Sequence, residues 1–212
     1  LHKTSGLVQW YIDADKVQPA LMEQLSEEAA PYKVALRPYG AILDDLKQMV
    51  DTSACRVLIP LSSSLALHEV VPEAQKVAVK SPVSLPKAIK NEAEVEGMRQ
   101  AHLKDAVALI QYLVWLEDRI TLKNEVVLEA EGADKLEEFR RAQVGFVTPS
   151  FETISSSGAN GAIIHYKPPA VGSKAITANE IHLLDSGGQY RDGTTDVTRT
   201  MHFGTPSEHE KR

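Results

Sequence analysis

Two aspartates near the end of the chain, Asp185 and Asp196, are the residues best placed to do chemistry, and they stand eleven positions apart. Apolar Leu183 and Leu184 before Asp185 read as a buried strand, Gly187 and Gly188 supply turn chemistry, and the Thr/Val alternation after Asp196 reads as the returning strand. A hairpin of this kind brings two carboxylates from adjacent strands to one cation site. Hard divalent ions take clustered anionic oxygens, and a metal pair requires a carboxylate that bridges it. An Asp before Gly also commonly starts a turn by accepting from nearby amides. Asp196 is the stronger signal, because Asp is depleted in strands and one inside Thr-Thr-Asp-Val-Thr calls for something that stabilises its charge.

Other side chains fall around this pair. Thr198 is two residues beyond Asp196 on the same strand face, a spacing suited to orienting that carboxylate. His165 follows the Gly-rich run Asn160-Gly-Ala-Ile-Ile and reads as the end of an apolar strand. A neutral imidazole there can donate to a carbonyl or shuttle a proton; a partly buried histidine bonded to backbone is the alternative. His182, His202 and His209 have no comparable context. The chain has no Gly-x-x-x-x-Gly-Lys-Ser/Thr loop, no His-Glu-x-x-His and no Gly-x-Ser-x-Gly. The run Ser155 to Gly161 lacks the following helix and lysine of a phosphate cradle.

Asp185-Ser-Gly, the run Asp192-Gly-Thr-Thr-Asp-Val-Thr-Arg-Thr200 and the stretch Asn160-Gly-Ala-Ile-Ile-His-Tyr166 closely resemble the metal-binding core of the aminopeptidase P (Xaa-Pro aminopeptidase) family. The likeness is greatest to its eukaryotic cytosolic branch, and extends more weakly through Lys87 to Asn91 and Glu137 to Arg141. The resemblance implies α/β plus α+β architecture. Residues 1–85 would be the C-terminal part of a creatinase-like domain, and residues 86–212 the first half of a pita-bread catalytic domain. It implies that Asp185 binds one metal, that Asp196 bridges two, usually Mn2+, and that His165 lies in the active site and contacts substrate. It implies an N-terminal residue released from peptides with proline second, a homodimeric parent and a cytoplasmic location.

The family's site also needs a histidine and two glutamates further along. With two of five ligands, these residues alone are expected to be inactive and to bind Mn2+ weakly or not at all. The pita-bread fold also serves noncatalytic protein-binding modules such as histone chaperones, and prolidases and creatinases share the hairpin. Both aspartates count against the first alternative, and the run through Met201-His-Phe-Gly204 favours aminopeptidase P over the second.

The elements that must position these groups show in the pattern. Residues 7 to 80 alternate short β-like stretches (7–12, 32–36, 56–59, 76–79) with amphipathic ones (19–30, 41–50, 64–70), an α/β unit without evident chemistry. The segment Ser81-Pro-Val-Ser-Leu-Pro86 marks a boundary. A long helix follows, with Asn91 and Glu94 as a capping box and Val95, Met98, His102, Ala106, Leu109, Leu113 and Leu116 as its core-facing residues. A second helix over 133–143 presents Glu137, Glu138, Arg140 and Arg141 as a solvated face. Residues 151–155, 162–166, 181–186 and 196–203 read as strands.

Composition narrows the partners. The 212 residues are 43% hydrophobic and 25% charged, and the net charge of −6 lacks a basic stripe, which argues against nucleic acid. No apolar run approaches the roughly 20 residues of a membrane helix, so no membrane association is expected. A single cysteine, Cys55, fits a reducing compartment and, in its apolar run, an inert buried thiol. The chain opens at Leu1 and stops at Arg212, after a Pro206-Ser-Glu segment poised to start a helix, and reads as an internal fragment.

Overall fold

The computed structural model describes residues 6–211; Leu1 and Arg212, on which the fragment reading rests, lie outside the described residues. The chain divides into two compact units, Leu1–Ile89 and Lys90–Arg212.

In the first unit, strands β1 (Leu7–Tyr11), β2 (Lys33–Arg37), β3 (Val57–Pro60) and β4 (Lys76–Val79) alternate with helices α1 (Pro19–Glu28), α2 (Ile42–Thr52) and α3 (Leu65–Val70). β1 pairs with β2 and β3 with β4, both in parallel. A parallel pair cannot be closed by a tight turn, so α1 and α3 supply the crossovers. Pro19 opens α1, where its missing N–H costs nothing. Val50, Ile59 and Val71 form a small core. The expected boundary between 85 and 86 falls inside a short helix, α4 (Ser84–Ala88), whose first turn tolerates Pro86.

The second unit is built on α5 (Glu92–Glu117). Asn91 accepts from the Glu94 N–H at 2.8 Å and Glu94 reaches back to the Asn91 N–H at 2.9 Å, the expected capping box. The buried face differs from the expected one: it is Ala101, Asp105, Ala108, Leu109, Tyr112 and Leu116. His102 and Ala106 are exposed, and His102 Nδ1 lies 2.8 Å from the Met98 carbonyl. The shift follows from Asp105, which hydropathy places outside and an ion pair holds inside. After α5 come β5 (Val127–Leu128), α6 (Glu129–Arg141), β6 (Phe146–Pro149), β7 (Ile154–Ser157), β8 (Ala175–Ile176), β9 (His182–Ser186), β10 (Gly188–Tyr190) and β11 (Val197–Met201).

A three-stranded antiparallel sheet, order β11-β9-β7, lays one face on α5 and α6. Leu184 joins Leu109, Tyr112, Leu116, Val127, Leu136 and Ile176 in the main core, with Val197 packed against it. Two expected strands are corrected. The strand read at 151–155 lies at Ile154–Ser157, and 162–166 is no strand: a 3-10 turn, Gly158–Ala162, runs into a bend. Ile163 and Ile164 are 54% and 87% exposed, so their hydropathy mimics a buried strand that the chain does not bury.

Candidate metal centre

The hairpin that carries both aspartates keeps one antiparallel register along its length. Thr198 faces Asp185, Val197 faces Ser186 and Gln189 bridges to Thr194. The Tyr190 N–H donates to the Gly193 carbonyl at 2.8 Å, so the chain reverses at Arg191-Asp192. Gly187 and Gly188, expected at the turn, lie before it instead: Gly187 separates β9 from β10 and Gly188 opens β10. Close approach requires Gly187: a Cβ there would stand 2.0 Å from the Thr195 carbonyl oxygen and 2.3 Å from Ser150 Oγ. The turn is seated on α5, where Lys104 pairs with Asp192 at 2.6 Å and holds its carboxyl below the usual carboxylate range.

This register puts Asp196 opposite Gly187 and makes Asp185 and Asp196 diagonal neighbours on one sheet face, a relation that separates Cα atoms by about 7–8 Å. Asp185 is half-buried and Asp196 exposed. Thr198 Oγ1 donates to Asp185 Oδ1 at 2.8 Å. Thr198 thus orients Asp185, directly across the ladder, and not Asp196, which lies two residues before it and just outside β11. Among the described residues, Asp196 has no side-chain hydrogen-bond partner and Asp185 Oδ2 has none, so three carboxylate oxygens remain able to ligate. That donor set suits a hard divalent cation, but it is partial: among the described residues no group of three or more His, Cys, Asp or Glu could hold a metal.

The opposite face of the same strands is dry. Arg140 and Asp105 are both 1% exposed. Arg140 Nε donates to Asp105 Oδ1 at 2.7 Å, and its NH2 group donates to Asp105 Oδ2 and to Ser186 Oγ, each at 3.1 Å. Tyr190 Oη donates to Asp105 Oδ1 at 3.1 Å; burial, then the Asp105 charge, raises its phenol pKa. The expectation of a solvated Arg140 is therefore corrected. Its neighbours Glu137 and Arg141 pair on the surface, while Arg140 turns inward to the residue next to Asp185. His182, whose sequence context assigns it no role, is fully buried, and burial pushes its pKa down to about 4 against the opposing charge of Glu129.

His165 is exposed, with φ at +55°, in the bend after the 3-10 turn rather than at a strand end. Sequence reasoning missed Glu129, a fully buried carboxylate that binds this loop. The signal for it was slight: one acidic residue at a helix start, where acidic residues are common. Two concave surfaces lie elsewhere, one beside Trp115, Arg119 and Ser173 and one beside Tyr11, Leu36 and Tyr39, and neither is lined by the aspartates.

The model of metallopeptidase family M24 matches residues 96–212, and that of the creatinase/prolidase N-terminal domain matches residues 2–94. "Probable Xaa-Pro aminopeptidase P" of Verticillium alfalfae is 44% identical over 207 residues, 95% of this chain and 33% of that protein. "Xaa-Pro aminopeptidase 1" of Dictyostelium discoideum is 44% identical over 205 residues, 96% of this chain and 32% of that protein. Among solved structures, an X-prolyl aminopeptidase from Caenorhabditis elegans, described as a cytosolic enzyme with a di-nuclear active site, superposes with a TM-score of 0.81. It is 33% identical, over 95% of this chain and 33% of that one. The chain spans about a third of the length of these relatives.

Proposed function

Because the chain belongs to metallopeptidase family M24, we propose that in the full-length protein Asp185 and Asp196 ligate two divalent metal ions, Mn2+ by preference, and that His165 meets a peptide substrate. The fold is the expected one, an α/β unit of creatinase type followed by an α+β unit of the pita-bread type. The observation that carries the reading is the pair of under-saturated carboxylates set diagonally on one open sheet face.

Each residue has a task. Thr198 fixes the Asp185 carboxylate, leaving Oδ2 to bind. Asp196, with no side-chain partner among the described residues, has two oxygens that would serve to bridge a metal pair. The chemistry that a bound metal pair supplies is polarisation of the scissile carbonyl and easier loss of a proton from water. His165 donates to a substrate carbonyl or moves a proton from its exposed position. Substrates are peptides with proline second, as the names of the relatives indicate. A prolyl amide lacks an N–H and is conformationally locked, so a dedicated pocket discriminates it. We propose that the full-length protein acts in the cytoplasm, the C. elegans enzyme being described as cytosolic, and that it does so as a homodimer, as the family resemblance implies. Among the described residues no helix is long and apolar enough to cross a membrane.

The test is hydrolysis of Arg-Pro-Pro by the full-length protein. Activity is expected to vanish on chelation, to return with Mn2+, and to fall when alanine replaces the second residue. Undiminished hydrolysis after metal removal would contradict the metal reading, and equal rates on Arg-Ala-Pro the substrate reading.

A further inference from the structure

The loop that carries His165 is tied at both ends to one buried carboxylate. Glu129 opens α6 and is 0% exposed, and its own N–H donates to the Lys174 carbonyl at 2.9 Å. Its Oε1 accepts from the Ser157 N–H at 2.6 Å and from Asn160 Nδ2 at 3.0 Å. Its Oε2 accepts from Tyr166 Oη at 2.7 Å and from Asn160 Nδ2 at 3.2 Å. Asn160 Nδ2 also lies 3.0 Å from Tyr166 Oη, which closes the ring of contacts. These contacts use the acceptor sites that a carboxylate offers, so a charge without access to water is satisfied by neutral donors and by the N-terminus of α6.

The three donors bracket the loop. Ser157 ends β7, Asn160 lies in the 3-10 turn and Tyr166 directly follows His165. Between them His165 holds φ at +55°, a backbone state that costs a non-glycine residue on the order of 1 kcal/mol and persists only where its surroundings over-determine it. Burial and then the Glu129 hydrogen bond hold the Tyr166 phenol up to about 12, which keeps it a donor across the working pH range.

We propose that Glu129 is the positioning residue for His165. Through Asn160 and Tyr166 it fixes the loop so that the imidazole stands where a substrate can reach it. The inference rests on the reading of His165 as the substrate-facing group. It adds Glu129, Asn160 and Tyr166 as residues that touch no substrate yet set the rate.

Tyr166→Phe removes one hydroxyl beside His165 and leaves Glu129 its other donors. In the full-length protein it is expected to lower kcat/KM on Arg-Pro-Pro about tenfold, the scale on which misplacing a catalytic group acts. In a His165→Ala background the same change is expected to cost less than about twofold, because the group being positioned is gone. Amide exchange across residues 158–166 is expected to rise about tenfold in Tyr166→Phe and further in Glu129→Gln. Equal losses of kcat/KM in both backgrounds, or unchanged exchange in the loop, would overturn the proposal. Full activity of His165→Ala would strike the reading of His165 itself, and the exchange result would still decide whether Glu129 holds the loop.

Discussion

Asp105 and Glu129 on one side of the central sheet, and Asp185 and Asp196 on the other, are the same chemical group put to opposite uses. The first two are removed from water, and their oxygens are occupied by Arg140 and Tyr190 or by Ser157, Asn160 and Tyr166. The second two remain in contact with water and are largely unclaimed, with Thr198 the one side-chain donor among the described residues. A satisfied buried carboxylate holds elements in place; an unsatisfied accessible one is free to bind. The contrast is coupled in space, because Ser186, which Arg140 grips, is the chain neighbour of Asp185.

The largest effect that could break this contrast comes from the dry side. Arg140→Met leaves Asp105 buried without its cation and is expected to destabilise the full-length protein by about 3–5 kcal/mol. The double variant Arg140→Met/Asp105→Leu should recover most of that loss. Urea denaturation reads both, and a loss below about 1 kcal/mol for the single variant would mean that the pair is not the dry support described.

Acid sharpens the contrast from another direction. The His182 imidazole keeps a pKa of about 4 when folded, against an ordinary value near 6.5 when unfolded. Between these values the unfolded chain binds a proton that the folded chain refuses, so stability falls as pH drops from about 6.5 to 4, by about 3 kcal/mol in all. Glu129 faces His182 from α6 and opposes the shift. His182→Gln is expected to flatten the dependence of Tm on pH in this window, and an unchanged slope would contradict it.

The smallest expected effect is on the wet side. Thr198→Val keeps shape and removes the hydrogen bond to Asp185, and it should lower kcat/KM about tenfold with little change in Tm. An effect on Tm without one on kcat/KM would make Thr198 structural.

What the sequence made legible follows the same division. Asp196 stood out because an aspartate within a Thr/Val strand has no packing reason to be there, and Asn91 with Glu94 announced a helix start through local hydrogen bonds alone. The alternating β and α stretches of residues 7 to 80 needed only periodicity. Arg140 was hidden among Glu137, Glu138 and Arg141, since nothing local distinguishes a buried charge from solvated ones when its partner, Asp105, lies on another helix. The same pair turned the buried face of α5 away from the apolar stripe. Gly187-Gly188 misled for a related reason: glycine serves both tight turns and close approaches, and contact with Ser150 and Thr195 is long-range. Ile163 and Ile164 carried strand-like hydropathy without burial, which obscured the bend that presents His165.

The measurement that tests the central claim most directly is calorimetric titration of the metal-free full-length protein with Mn2+, beside the Asp196→Asn variant. Two ions per chain in the parent, with fewer bound or a marked loss of affinity in the variant at unchanged Tm, is the predicted result. Identical stoichiometry and affinity in the two proteins would show that the open carboxylates do not hold the metal.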